Sequence, residues 1–325
     1  MCMLRVRSPT SPYLAVAVTA AISHKIKMSR AILRPISSDC AKGIRFGLKL
    51  LANPSSALST TTVENRKPVC LIVGSGAGIG QATAKKFASE GYHAVCVRRG
   101  KGPGRLLQND GNMDLFVQKI HENGGSAETI FADGTKPGEV IDFVSYVEKE
   151  VGPIKVALYN IGAQIGNRSL EKTSYGSFER CLSMGVVGLF ALAKEVAPYM
   201  SRRSGGGTIL VTTGTAGFRG NKGQHAHSAA MGARRNLCQS LNHELADCGI
   251  HICHFNIDGV VASPETVGKL MPELYQRLVA EQSADAIILP KHVADTYYFI
   301  ATQPRSNWTF EMDIRTWKET PWFNS

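Results

Sequence analysis

The stretch Cys70-Leu71-Ile72-Val73-Gly74-Ser75-Gly76-Ala77-Gly78-Ile79-Gly80 constrains this chain more than any other. Its apolar start carries Ile and Val and reads as a short buried strand. Glycines at 74, 76, 78 and 80 end that run, and Gln81-Ala82-Thr83-Ala84-Lys85-Lys86-Phe87-Ala88 continues with a helical pattern. Strand, glycine turn and helix in that order make a phosphate-binding βα unit. Glycines let backbone N–H groups approach a pyrophosphate, and the helix N-terminus adds partial positive charge. Glycine-rich turns also simply connect strands to helices. Here both flanks fit, so the spacing predicts a nucleotide site at Gly74, Ser75, Gly78, Ile79 and Gly80.

From Pro68 onward strand and helix patterns alternate. Further strands are expected at His93–Val97, Thr129–Phe131, Lys155–Tyr159, Thr208–Thr212, His251–Ile257 and Phe310–Ile314. Helices are expected around Leu115–Asn123, Val140–Val151, Phe178–Met200, Ser228–Asp247 and Val293–Thr302, with short ones before Gln282. That alternation predicts an α/β fold: a doubly wound parallel sheet in a single domain over 63–325, behind an extension at 1–62.

Charge separates the two parts. Residues 1–60 hold nine Lys/Arg against one acid, Asp39, so +8 of the net +11 lies there. The body is ordinary in charge and shows no basic patch with interleaved aromatics, so nucleic acid is not an expected partner. The extension is rich in Ser and Thr, and Lys42, Arg45 and Lys49 share one helical face with Ile44, Leu48 and Leu51 opposite. This composition predicts a presequence for the mitochondrial matrix or another organelle. The rivals are a secretory signal over Tyr13–Ile22 and a disordered tail on a cytoplasmic protein. No run of 18 apolar residues occurs, so no transmembrane segment is expected. The eight cysteines form no CxxC pair and no His/Cys spacing suited to a metal, so no metal site is expected. Cys70, Cys96, Cys181, Cys238 and Cys253 fall inside the expected strands and helices, where a thiol packs as a small hydrophobe.

From about Lys67 to Ile314 the chain resembles the short-chain dehydrogenase/reductase family. Gly74, Gly78 and Gly80 match its TGxxxGxG turn, with Val73 where Thr is usual. Asp133 matches the acid that contacts adenine. Asn160-Ile161-Gly162 matches the Asn-Ala-Gly turn after the fourth strand, with Tyr159 replacing the first Asn. Gly259 and Val260 follow Ile257-Asp258 where the family has Pro-Gly, and backbone there usually meets the nicotinamide carboxamide. Asp258 is a carboxylate foreign to that pattern, placed to pair with a histidine or to cap a turn. Residues 263–290 resemble the variable substrate lid; Leu270, Met271, Leu274, Tyr275, Leu278 and Val279 suit an apolar substrate or plain packing. The aromatic tail (Trp308, Trp317, Trp322, Phe323) suits a subunit interface or a cover over the site. The resemblance implies a nicotinamide cofactor, a small carbonyl or alcohol substrate, and a homodimer or homotetramer.

Members that prefer NAD(H) carry an acid at the end of the second strand, for the ribose 2′-OH. This chain has Arg98 and Arg99 there, with no acid before Asp110. Guanidinium groups suit a 2′-phosphate, so NADP(H) is the expected cofactor, with NAD(H) possible.

The usual catalytic set, Ser and Tyr-x-x-x-Lys plus an Asn, is missing. Its positions fall on Gly214, His227, Met231 and Gly185, and no tyrosine is followed at +4 by lysine. In the family the lysine cation lowers the tyrosine pKa and binds the nicotinamide ribose. A histidine titrates near pH 6.5 without help, and a neighbouring cation would disfavour its charged form. Tyr→His with Lys→Met is therefore a coherent pair. His227 is the expected acid/base, with His225 as an alternative, and Thr213 or Thr215 the expected hydrogen-bond donor to a substrate carbonyl. The competing expectation is a catalytically inactive NAD(P)-binding protein with a regulatory or structural role.

Overall fold

The computed structural model describes residues 66–100, 113–163, 169–264, 267–280 and 286–324. The expected presequence, most of the Gly/Pro loop after Arg99 and parts of the expected lid lie outside them.

Among the described residues there are seven strands: β1 (Val69–Val73), β2 (His93–Arg98), β3 (Ser126–Phe131), β4 (Ile154–Tyr159), β5 (Gly207–Gly214), β6 (Ile250–Asp258) and β7 (Glu311–Arg315). They form one sheet in the order β3-β2-β1-β4-β5-β6-β7, every pair parallel. Five successive apolar residues make β1, and all five are buried. A strand covered on both faces needs that kind of run, because neither face meets water.

The helices are α1 (Ile79–Ser89), α2 (Met113–Glu122), α3 (Pro137–Tyr146), α4 (Tyr175–Ser201), α5 (His225–Leu245), α6 (Val267–Leu270), α7 (Pro272–Ala280) and α8 (Pro290–Ala301). On one sheet face Phe143, Leu189, Leu192 and Val196 from α3 and α4 pack on Leu71, Ala157 and Ile209. On the other, Phe87, Phe116, Val293 and Tyr297 from α1, α2 and α8 pack on Ile72, Leu158 and Phe255. The doubly wound sheet expected from the alternation is the fold.

By length and composition alone α4 could cross a membrane. Its apolar stripe is instead occupied inside the fold, with Leu189, Leu192, Val196 and Met200 fully buried on the sheet. A π turn at Ser183–Val187 interrupts it. Helix α5 starts three residues before the expected Ser228, because the Ser228 N–H already donates to the Gln224 carbonyl at 2.7 Å. His225 and His227 therefore both lie in its first turn.

Strand order reverses between β1 and β4: the chain runs outward from β1 through β2 to β3, then crosses back to β4. At such a reversal, α/β sheets of this kind take their ligands in a crevice outside the carboxyl ends of the strands.

Candidate active site

The glycine turn hangs from the end of β2. The N–H groups of Gly74 and Ser75 both donate to the Val97 carbonyl, at 3.0 and 3.1 Å. Gly74 has φ +100, a conformation that favours glycine, and Gly80 lies hard beneath it. A Cβ at Gly80 would stand 2.7 Å from the Gly74 oxygen and from Ser75 Cα. By contrast, a Cβ on Gly76 or Gly162 would meet nothing within 4 Å. The turn is filled to contact below and clear at these two glycines, the shape a pyrophosphate needs over the first N–H groups of α1, which have no partner within the helix. Gly78 faces Ser263, buried in the segment after β6; a Cβ there would be 3.3 Å from Ser263 Cβ.

Because Val97 holds the turn, the next residues, Arg98 and Arg99, leave β2 at its rim. Arg98 is half-buried and Arg99 exposed. Asn160 braces the turn from β4: its side-chain amide donates to the Gly74 carbonyl at 3.0 Å, and its N–H to Val73 at 2.8 Å. Asp133 organises the start of α3, accepting from the Thr135 N–H and hydroxyl at 3.1 and 2.7 Å. Beside it the Phe131 ring is 54% exposed, an apolar wall that sequence reasoning passed over. After β6, Gly259 takes φ +148 and residues 260–262 pair with Ile288: the Ile288 N–H donates to Val260 and the Ala262 N–H to Ile288.

At the other end of the crevice, β5, the π turn of α4 and the start of α5 bring Gly214, Gly185, His227 and Met231 to one region. His227 is half-buried. Thr213 is buried, and its hydroxyl donates to the Met231 sulfur at 3.2 Å, while Thr215 is half-buried in the 3-10 turn Thr215–Gly217. The nearby His225 holds the Thr173 hydroxyl at 3.1 Å. Asp258 accepts the Trp322 N–H at 3.1 Å, so it caps the tail and does not pair with a histidine in the described contacts. Trp322 in turn packs on Phe218 at 4.6 Å between ring centroids, and Trp308 stacks on His251. In the expected lid, Met271 and Val279 are exposed.

Two glycines account for departures from the resemblance. A Cβ at Gly188 would fall on the Gly134 carbonyl oxygen and on the Tyr159 hydroxyl, so glycine there admits both the backbone after β3 and the larger Tyr159. Burial pushes the Tyr159 pKa up to about 12, keeping the hydroxyl a neutral donor to the Met184 carbonyl at 2.8 Å. At Gly185 a Cβ would stand 2.7 Å from Ala230 Cβ on α5. The Ala230 carbonyl oxygen and Cα would also lie 3.0 and 3.2 Å from it, so Gly185→Asn is expected to cost about 2 kcal/mol in urea unfolding. A midpoint equal to that of the unmodified chain would remove this explanation.

Sequence reading missed Arg234. It sits one turn beyond Met231 on α5 and is 1% exposed. Its guanidinium donates to four backbone carbonyls: Gly185 and Thr212 at 2.7 Å, Ile161 and Met184 at 2.8 Å. Burial lowers its pKa from the usual arginine value. The adjacent pair Arg234-Arg235 after a helix start of small residues is the signal the sequence offers. Among the described residues, no three His, Cys, Asp or Glu side chains are grouped to hold a metal ion.

The fold has known counterparts. A short-chain dehydrogenase/reductase of Armillaria gallica is 28% identical over 255 residues, covering 77% of this chain and 94% of its own. A short-chain dehydrogenase structure from Rhodopseudomonas palustris superposes with TM-score 0.61 at 29% identity, covering 77% of this chain and 99% of the other. A 7α-hydroxysteroid dehydrogenase complexed with NADH and 7-oxo glycochenodeoxycholic acid has the same fold, with TM-score 0.64 at 22% identity over 77% and 93% of the two chains. The short chain dehydrogenase family profile matches residues 68–267. With the glycine turn, the parallel sheet and that match in agreement, the chain belongs to the short chain dehydrogenase family.

Proposed function

We propose that the chain is an NADP(H)-dependent oxidoreductase acting on a small carbonyl or alcohol through a variant active site. The observation that carries this is the suspension of the glycine turn from Val97, which sets Arg98 and Arg99 at the rim of the same turn. In this reading the N–H groups at the start of α1 bind the pyrophosphate, and the two guanidinium groups bind the 2′-phosphate. Asp133 and the exposed face of Phe131 border the adenine, and the backbone at Gly259 and Val260 meets the carboxamide. When bound, the cofactor supplies a hydride donor or acceptor at its nicotinamide ring. His227 holds the proton that goes to or comes from the substrate oxygen, and Thr215 donates a hydrogen bond to that oxygen. Thr213 is less suited, since its hydroxyl already donates to Met231.

The competing reading, a nucleotide-binding protein without turnover, rests on Gly214, His227 and Met231 standing where the family resemblance puts Ser, Tyr and Lys. Direct titration addresses both. The intact chain is expected to bind NADPH in the micromolar range. Arg98→Ala with Arg99→Ala should weaken NADPH at least ~10-fold, about 1.4 kcal/mol, and NADH far less. An unchanged NADPH/NADH affinity ratio would refute the cofactor assignment. Tight binding with no turnover on a broad carbonyl panel would select the second reading.

A further inference from the structure

Arg234 is chemically out of place for a purely structural residue. A guanidinium carries a permanent charge, and burying one is costly unless it is compensated. Among the described residues no carboxylate is bonded to it; four carbonyl oxygens are. Carbonyl dipoles solvate a cation but do not neutralise it, so a net positive charge stays inside the protein.

Its place gives the charge a use. The four carbonyls belong to three segments that build the candidate site. Ile161 lies between Asn160 and Gly162, Met184 and Gly185 form the π turn, and Thr212 precedes Thr213. On α5 the spacing His227, Met231, Arg234 is i, i+4, i+7, so the three share one helix face. Where the family resemblance puts a lysine ammonium, this chain has the uncharged Met231, and its cation lies one turn deeper.

We propose that Arg234 supplies the fixed positive charge at the nicotinamide end and thereby biases this chain toward the reduced cofactor. The inference rests on the nucleotide-binding reading above. The nicotinamide ring is cationic in NADP+ and neutral in NADPH. At an effective dielectric near ~20, a fixed cation ~12–17 Å from a nicotinamide ring would disfavour its oxidised form by about 1–1.4 kcal/mol, several-fold, and would leave the neutral reduced form nearly untouched. A mere staple for three backbone segments would not discriminate: its loss would weaken both forms alike. Arg234 would be a positioning residue as well, but the charge effect is separable from that role.

The test is titration of the full-length chain with NADP+ and with NADPH, beside thermal unfolding, for the unmodified protein, Arg234→Met and Arg234→Lys. In Arg234→Met the ratio Kd(NADP+)/Kd(NADPH) should fall ~5–10-fold, about 1–1.4 kcal/mol. Arg234→Lys should keep that ratio within ~2-fold while losing thermal stability, because it retains the charge but not the four-way hydrogen bonding. If Arg234→Met does not fold, Arg234→Gln, neutral but still a donor, is read in its place. A ratio unchanged in the neutral variants, with both affinities lowered together, would overturn the proposal and leave Arg234 a staple. A ratio that falls equally in Arg234→Lys would overturn it too, since charge would not be the cause. If the unmodified chain binds neither form, the nucleotide reading itself fails, an outcome distinct from an unmoved ratio.

Discussion

Gly80→Ala is expected to destabilise the chain by about 3 kcal/mol, the upper range for forcing an atom into filled space. The added Cβ would stand 2.7 Å from the Gly74 carbonyl oxygen and from Ser75 Cα. Both are backbone, in a turn fixed by two hydrogen bonds to Val97 and braced by Asn160, so neither can yield cheaply. Gly76→Ala is the matched contrast. Nothing lies within 4 Å of its added Cβ, so stability should stay within ~0.5 kcal/mol. The same methyl would project into the clear space at the turn, and NADPH affinity should drop at least ~10-fold. Urea unfolding and NADPH titration of the two variants separate the closed underside of the turn from its binding side. A Gly80→Ala midpoint equal to that of the unmodified chain would contradict the packing argument. Full NADPH affinity in Gly76→Ala would move the pyrophosphate elsewhere.

His227→Ala should lower NADPH-dependent carbonyl reduction at least ~100-fold with NADPH affinity kept, the usual worth of a positioned acid/base. His225→Ala is the necessary companion. His225 already engages the Thr173 hydroxyl, whereas His227 stands on the helix face of Met231 and Arg234. If His225→Ala abolishes turnover and His227→Ala does not, the acid/base role moves by two residues. If neither matters for a substrate that is turned over, the reaction uses a group outside this pair.

Both expectations depend on features of different legibility. The glycine turn could be read directly, because a buried strand, tight glycines and a helix start are local and each leaves its mark on neighbouring residues. The same holds for the seven strands and for the arginine pair ending β2. The candidate catalytic positions could be counted along the chain, but their environment could not. That Thr213 would give its hydroxyl to a methionine sulfur, and Asp258 its carboxylate to the tail, depends on partners 18 and 64 residues away.

Sequence by itself determined the layered sheet and its glycine cradle. These follow from hydrophobic period and turn chemistry, which act over a few residues. Only the tertiary structure decided which residues replace one another in space. Gly185 makes room for Ala230, and Gly188 for the Gly134 carbonyl and the Tyr159 hydroxyl. Arg234 is held by carbonyls from three separate segments. Such complementarity is a property of surfaces brought together by folding, and a residue's own neighbours in the chain do not specify its partners.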